Sequence, residues 1–397
     1  MKKRTILVSG ASIAGPTLAF WLHRFGFDVT VIERADQLRL GGQNIDVREE
    51  AQQIVQLMGL ENKIRQANTG ELGVRFVNNN NQIIGSFPKG NTGFGTAELE
   101  ILRGDLAKIL HEATSDNVEY IFGDQITALA DKEDIVTVTF KNGPQRSFDL
   151  VIAADGIRST TRTLMFGNEP LIKYIGVYCS YLTIPRIESD TKWAYWYNAP
   201  GSRVINIRPD NEGTTRASFS FLSPDNGYEK LSLAEQKEIL RQKFADAGWQ
   251  APRILTALEE SKDVYLDGIS QVKAPRWTKG RYAMVGDAAY CPTPMTGMGT
   301  SLSIIGAYIL AGELSRNNSH KEAFAAYEKL LRPYVEEIQN LPPGVPWIAH
   351  PKTKFGIGLF NTVLRVASSK IAKKVSKVFT GKKEKIKKDR IKLPIYK

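Results

Sequence analysis

A chain of 397 residues is too long for one simple core, so two domains packed together are expected. Hydrophobic residues make up 42% and charged residues 24%, an ordinary globular composition with apolar material to spare for enclosing a cofactor. The net charge of +11 does not mark a nucleic-acid partner: residues 370–397 hold twelve Lys or Arg against Glu384 and Asp389, so this tail carries +10 and the rest of the chain +1.

The N-terminal Lys2-Lys3-Arg4 precedes an apolar run, as in a cleaved leader. Glycines interrupt that run and it continues past His23 and Arg24, so it reads as folded structure. Thr5–Ser9 is predicted as a buried strand, Ala14–Phe25 as a helix and Asp28–Glu33 as a second strand, a unit that implies a parallel sheet. Asp46–Leu57 has helical character, and Val74–Val77 and Gln82–Phe87 form a hairpin across Asn78–Asn81. Arg103–Glu112 is a helix, followed by strands at Val118–Phe122, Ile126–Leu129, Ile135–Phe140 and Phe148–Ile152.

After about residue 170 the pattern changes. Tyr174–Ile184, Lys192–Tyr197, Arg203–Arg208 and Arg216–Leu222 alternate and are rich in aromatics, the pattern of an inserted antiparallel sheet. Leu233–Phe244 is a helix, and Tyr282–Val285 returns the chain to the first domain as a buried strand. Helices follow at Met298–Leu314 and Lys321–Ile338, then a proline-rich linker at Leu341–Pro346 and a basic amphipathic helix at Phe355–Phe379. The expected organisation is a discontinuous domain of residues 1–170 and 265–340, an inserted domain of 171–264, a C-terminal helix within 341–379 and a basic tail of 380–397. No run of about 20 apolar residues predicts a membrane span.

Cys179 and Cys291 lie far apart, and His23, His111, His320 and His350 never cluster. No disulfide framework and no metal site is expected, and a reducing cytoplasm is the default. Three other segments carry chemistry. Gly10-Ala11-Ser12-Ile13-Ala14-Gly15 follows a strand and opens a helix, and Glu33 ends the next strand. Gly10 allows the tight turn, Gly15 allows helix and strand to pack closely, and the helix start offers N–H groups to a pyrophosphate. Glu33 stands where an acid bonds a ribose hydroxyl, and Ser12 replaces the usual middle glycine. The second segment runs from Asp149 through Asp155-Gly156 to Ser159 and Arg162, a strand delivering an acid and a glycine to a helix start. The third runs from Gly280 through Gly286-Asp287 and a proline-stiffened loop to Gly297 and Gly299, where a long helix starts.

On these three motifs, in this order, the chain resembles the class A flavoprotein monooxygenases, with a p-hydroxybenzoate-hydroxylase-like fold. Gly41–Arg48, Glu100–Leu106, Gly286–Pro292 and the C-terminal helix resemble in particular the tetracycline-inactivating flavin monooxygenases. The resemblance implies an α/β fold: a Rossmann-like FAD-binding domain, an inserted antiparallel-sheet substrate domain and a C-terminal helix that bridges the two. It implies bound FAD, with NADPH or NADH and O₂ as co-substrates. The expected reaction hydroxylates an electron-rich phenol or enol of an aromatic or polycyclic molecule through a C4a-hydroperoxyflavin, tetracycline-type antibiotics among the substrates. A dehydrogenase or reductase of the same fold, or a non-catalytic ligand-sequestering protein, is the alternative.

By the same resemblance, Gly10, Ser12, Ile13, Ala14, Gly15, Glu33 and Arg34 hold the ADP part of FAD, and Arg103 reaches the phosphates or ribityl chain. Asp155 shapes the cofactor region and Asp287 bonds the ribityl chain. The backbone at Pro294, Gly297, Met298 and Gly299 faces the flavin pyrimidine edge, with Arg39, Gln43, Asp46 and Arg48 on the flavin side. Tyr290 departs from the His of many members, and Met298 and Thr300 from a frequent Gln and Asn, all expected beside the flavin. The aromatic sheet supplies a substrate wall from Tyr178, Tyr181, Trp193, Tyr195, Trp196, Tyr197, Phe219 and Phe221, of which alternation lets at most half face one pocket. Arg203, Tyr195, Phe219 and Pro294 are the expected substrate contacts. A monomer acting on a small molecule is expected, with no nucleic-acid partner; the lysine run Lys382–Lys388 of the basic tail reads as solvated or as weakly drawn to anionic surfaces.

Overall fold

The computed structural model describes residues 3–90, 97–132, 134–261, 264–369 and 391–396. A six-stranded sheet carries the first domain. Thr5–Ser9 lies at its centre, parallel to Asp28–Glu33 on one side and Leu150–Ala153 on the other. Glu119–Phe122 extends one flank, and Tyr282–Met284 with a short antiparallel edge, Thr278–Lys279, extends the other. The central strands are apolar on both faces because helices cover both. The Ala14–Arg24 and Gly299–Arg316 helices pack together as one such layer, and the second of these is buried almost all round.

A seven-stranded sheet carries the second domain, in the order Tyr265–Lys273, Leu171–Pro185, Thr214–Leu222, Arg203–Pro209, Ala194–Ala199, Gly73–Val77, Ile83–Pro88. Two of these memberships differ from the expected 171–264 span. The hairpin of Gly73–Val77 and Ile83–Pro88 leaves the first domain and joins the sheet through parallel pairing of Val74 with Ala194. Tyr265–Lys273 also belongs here, paired antiparallel to Leu171–Pro185 along most of its length. Hydrogen bonds to distant strands decide both, and local periodicity carries no trace of them. Helices Leu233–Phe244 and Ala251–Glu260 cover one face of the sheet.

The helical reading of Asp46–Leu57 splits in two. Asn44–Val47 is a strand paired with Leu99–Leu102, and the helix begins only at Glu50 after Glu49 takes φ of 50°. The C-terminal helix runs over Lys354–Ser368, packed on the Ile83–Pro88 strand, and Ser369 turns extended; residues 370–379 of the expected 355–379 helix lie outside the described residues. The solvated run expected at Lys382–Lys388 lies outside the described residues, but the end of the expected 380–397 tail packs on the body. Ile391 is buried in the first-domain core, the Tyr308 hydroxyl donates to Pro394 O (2.8 Å), and Tyr396 packs on Tyr308 and donates to Glu313 (2.8 Å). Apolar side chains at the end of a basic sequence thus find a groove on the Gly299–Arg316 helix, where Gly312 makes room for the Tyr396 ring.

Candidate functional site

The glycine loop is closed by sterics. Gly10 sits at φ 112°, and a Cβ there would come 2.6 Å from Ala154 O, at the end of the neighbouring strand. A Cβ on Gly15 would collide with Gly10 O. The helix that follows has no side-chain cap at Ile13 and no acid in its first turn, so its leading N–H groups lack intrahelical acceptors. Such an end is a built anion site. Glu33 braces the loop by accepting from Ala11 N (3.0 Å) and Ala35 N (3.1 Å). Arg103 donates to Ser12 Oγ (3.0 Å), Arg39 O (3.0 Å) and Gly41 O. Ala11, Ser12, Glu33, Leu38, Arg39 and Arg103 line a small open cleft. The N–H groups of an uncapped helix end and a guanidinium donate to phosphates, and a carboxylate accepts from ribose hydroxyls, so the residues around this cleft fit FAD at this end. Arg34 and Arg39 lie exposed at the rim.

The other two motifs meet the first. Gly286 has φ 66°, and a Cβ there would lie 2.8 Å from the Ala14 Cβ, so the third motif rests on the first turn of the glycine-loop helix. Asp155 accepts from Ser159 Oγ and Thr161 N (3.2 Å), and Thr161 in turn bonds Ser9 at the end of the first strand. Arg162, buried, donates to Ile157 O (2.7 Å) and Ala288 O (3.0 Å) and so bolts the second motif to the third. Its place inside the motif was visible in the sequence, but its bridging role was not. Burial pushes the carboxyls of Asp155 and Asp287 up.

The Gly299–Arg316 helix has a second uncapped start, again with no acid in its first turn. Gly297, at φ 64°, lies against the Arg48 guanidinium, 3.7 Å from where its Cβ would stand. Arg48 N donates to Ser301 Oγ (2.9 Å) and its side chain pairs with Asp46 (2.5 Å). Asp46 also accepts from Ala97 N (3.1 Å), while Gln43 O receives Arg103 N (3.0 Å). Met298 is buried and Pro294 exposed. Asp46, Arg48, Gly297 and the helix start therefore converge. Tyr290 does not join them. It is buried against Trp277 (ring centroids 4.7 Å apart) and bonded to the Tyr327 hydroxyl (3.1 Å), with Gly306 leaving space for its ring.

A charge cluster that sequence reasoning missed joins the seven-stranded sheet to the paired strands Asn44–Val47 and Leu99–Leu102. Arg208 pairs with Glu71 (2.8 Å) and Glu100 (2.7 Å), both fully shielded, and the Thr69 hydroxyl donates to Glu100. Burial pushes Glu100 up to about 7, with Arg208 opposing and Glu71 reinforcing the rise. Asn44 Nδ2 reaches across to Pro209 O (3.0 Å). Its members come from three separate segments, so no local pattern announced it.

Most of the expected substrate wall is packed into a core. Tyr178, Tyr195, Tyr197, Phe219 and Phe221 pack into one core with Leu240, Phe244, Ile254 and Leu258 of the covering helices. Phe219 stacks on Phe244 at 4.1 Å. Arg203, on this same face by its pairing with Phe221, commits its guanidinium to Pro200 O (2.6 Å), Lys243 O (2.6 Å) and Asp246 (2.5 Å). Register puts Tyr181, Trp196, Asn198, Asn206, Ser218 and Ser220 on the opposite face. There Asn198 donates to Ala349 O (2.7 Å), and Ser220 bonds His350 (2.9 Å), tying this face to the C-terminal segment. Trp196 contacts Phe76, which contacts Phe360 of the C-terminal helix. Of the eight aromatics expected to form the wall, Tyr181 and Trp196 face this way.

Among the described residues no cluster of potential metal ligands occurs and no helix is long and apolar enough to cross a membrane. A family profile described as an FAD binding domain matches residues 3–341. A flavin-dependent monooxygenase of Legionella longbeachae serogroup 1 (strain NSW150) is 41% identical over 343 residues, covering 85% of this chain and 88% of the relative. The crystal structure of tetracycline destructase Tet(55) superposes with a TM-score of 0.81 at 34% identity, covering 99% of both chains. That of tetracycline destructase Tet(51) gives 0.79 at 34% identity, with both chains covered in full.

Proposed function

The chain belongs to the FAD-binding flavin-dependent monooxygenases, and from that premise we propose that it hydroxylates a phenol or enol of a polycyclic small molecule, a tetracycline-type antibiotic being the leading candidate. Likeness to the two tetracycline destructases supports that substrate class. Bound FAD supplies electron transfer from NADPH or NADH and the activation of O₂.

The residues of this chain do the rest. The glycine loop, Glu33 and Arg103 hold the nucleotide end. At the far end the uncapped Gly299 helix, with Arg48 beside it, holds the negative charge that a reduced ring system develops. The Asp46 carboxylate fixes the Arg48 guanidinium in that position. The polar sheet face orients the substrate: Asn206 and Ser218 offer hydrogen bonds to its oxygens, while Trp196 and Tyr181 bound it with apolar rings. Phe76 and Phe360 close the end beside Trp196 and help exclude water.

One observation carries this reading: three motifs scattered through the chain meet within one site, Gly286 on Ala14 and Arg162 on Ala288 O, between two uncapped helix starts. The test is to add tetracycline to the purified, FAD-loaded protein and follow NADPH oxidation with mass analysis. A product heavier by one oxygen is expected. NADPH oxidation that stays at its background rate with tetracycline and with simpler phenols alike would sink the substrate assignment. A protein that stays colourless after incubation with FAD would sink the cofactor site.

A further inference from the structure

The C-terminal helix has two apolar faces and the body covers one. Its inner side sets Phe360 and Leu364 against Phe76, Ile84 and Phe87, with Gly85 letting the helix backbone approach closely. Its outer side carries Phe355, Leu359, Val363 and Val366, spaced four, four and three residues apart and 58–83% exposed. They form one stripe about 16 Å long on a helix of this rise. Trp347 and Ile348, in the turn just before, are exposed to a similar degree. A stripe of that size on a chain with a complete core calls for an occupant.

Charge identifies the occupant. From Ile338 to Lys383 the sequence contains no Asp or Glu, while it contains Lys352, Lys354, Arg365 and six further lysines from Lys370 onward. Lys354 and Arg365 sit at the two ends of the stripe-bearing helix. A second copy of this chain would bring the same positive charge against it and be repelled. A nucleic acid would answer the charge but has no use for four aliphatic and aromatic side chains in line. An anionic lipid surface answers both.

We propose that this helix seats the protein on an anionic bilayer surface, its outer stripe among the acyl chains and its flanking cations at the headgroups. The seat lies directly behind the polar sheet face, because Phe360 on the inner side touches Phe76 and Phe76 touches Trp196. A sparingly soluble polycyclic substrate dissolved in lipid would reach that face by the shortest route.

The test uses the full-length, FAD-loaded protein in co-sedimentation with vesicles of phosphatidylcholine alone and of phosphatidylcholine with equal phosphatidylglycerol. Binding is expected to the anionic vesicles only, weakening as salt rises. The double variant L359E/V363E should lower the partition by on the order of a hundredfold, since it removes two inserted side chains and adds two repelled charges. Both sites face outward, so flavin content and melting temperature should be unchanged. Failure of the parent protein to bind anionic vesicles overturns the proposal. So does equal binding by parent and variant, which would assign the contact to the basic sequence alone. A dimer in gel filtration that the variant dissolves would make the stripe a contact between copies, and binding to duplex DNA without binding to vesicles would make the cations a nucleic-acid site; either result is equally fatal.

Discussion

Glu100→Gln should change how stability depends on pH. Glu100 is fully buried opposite Asp46 and shares the Arg208 guanidinium with Glu71. Two carboxylates on one cation leave one of them under-compensated, and burial holds the Glu100 proton up to about 7. In the unfolded chain the same carboxyl loses its proton near 4.5. Between those values the native state binds more protons than the unfolded one, so stability falls as pH rises through this window and the full loss is reached above about pH 7. At about 1.4 kcal/mol per pH unit the loss is roughly 3 kcal/mol. Glutamine keeps the shape, does not titrate, and leaves Arg208 both of its contacts to Glu71. Urea unfolding at pH 5 and pH 8 measures the effect. Part of the loss has already occurred at pH 5, so the parent should lose roughly 2 kcal/mol more than the variant between the two conditions. Parallel pH profiles would refute the reasoning: Arg208 would then hold Glu100 ionised throughout.

Gly15→Ala puts a methyl into the Gly10 carbonyl, so the loop must shift; the purified variant should lose most of its flavin, read as the ratio of visible to ultraviolet absorbance, with strain of about 1–3 kcal/mol in its unfolding. The two faces of the large sheet should respond differently. Phe219→Ala, beneath the covering helices, should cost about 3–5 kcal/mol of stability and leave the KM of the folded fraction alone. Ser218→Leu, on the opposite face, should raise KM about tenfold with little change in melting temperature. Tyr396→Ala removes a ring packed on Tyr308 and a bond to buried Glu313, and should lower stability by about 3 kcal/mol; a solvated tail would show no change in melting.

The first domain was legible because each of its signals is local. Strands buried on both faces read as continuous apolar runs, and the glycine loop must sit between a strand and a helix whatever surrounds it. The Leu233–Phe244 helix declares its start through a reciprocal cap between Ser232 and Glu235. What stayed hidden depends on distant partners. Tyr265–Lys273 mixes Asp267, Gly268 and Gln271 with apolar residues, and only its pairing with Leu171–Pro185 makes it a strand. The Glu71–Glu100–Arg208 cluster brings together residues from three separate segments. Ile391–Tyr396 looked like the end of a charged tail because its groove lies on helices far back in the sequence.

The packing of the expected wall aromatics into a core has a more general cause. Alternation in a strand reveals two faces but does not say which one the rest of the chain will cover. Here the helices decide it. Leu240, Phe244, Ile254 and Leu258 need an apolar partner, and they find it on the face with Tyr195, Tyr197, Phe219 and Phe221. The face left over carries Asn198 and Ser220, which the C-terminal segment covers through Ala349 O and His350, and Asn206 and Ser218, which stay part-exposed. Aromatic richness in alternating strands therefore marks the core side of such a sheet. The small polar residues lie one position away, and Asn206, beside Ile205 and Ile207, is where that shift by one is easiest to see.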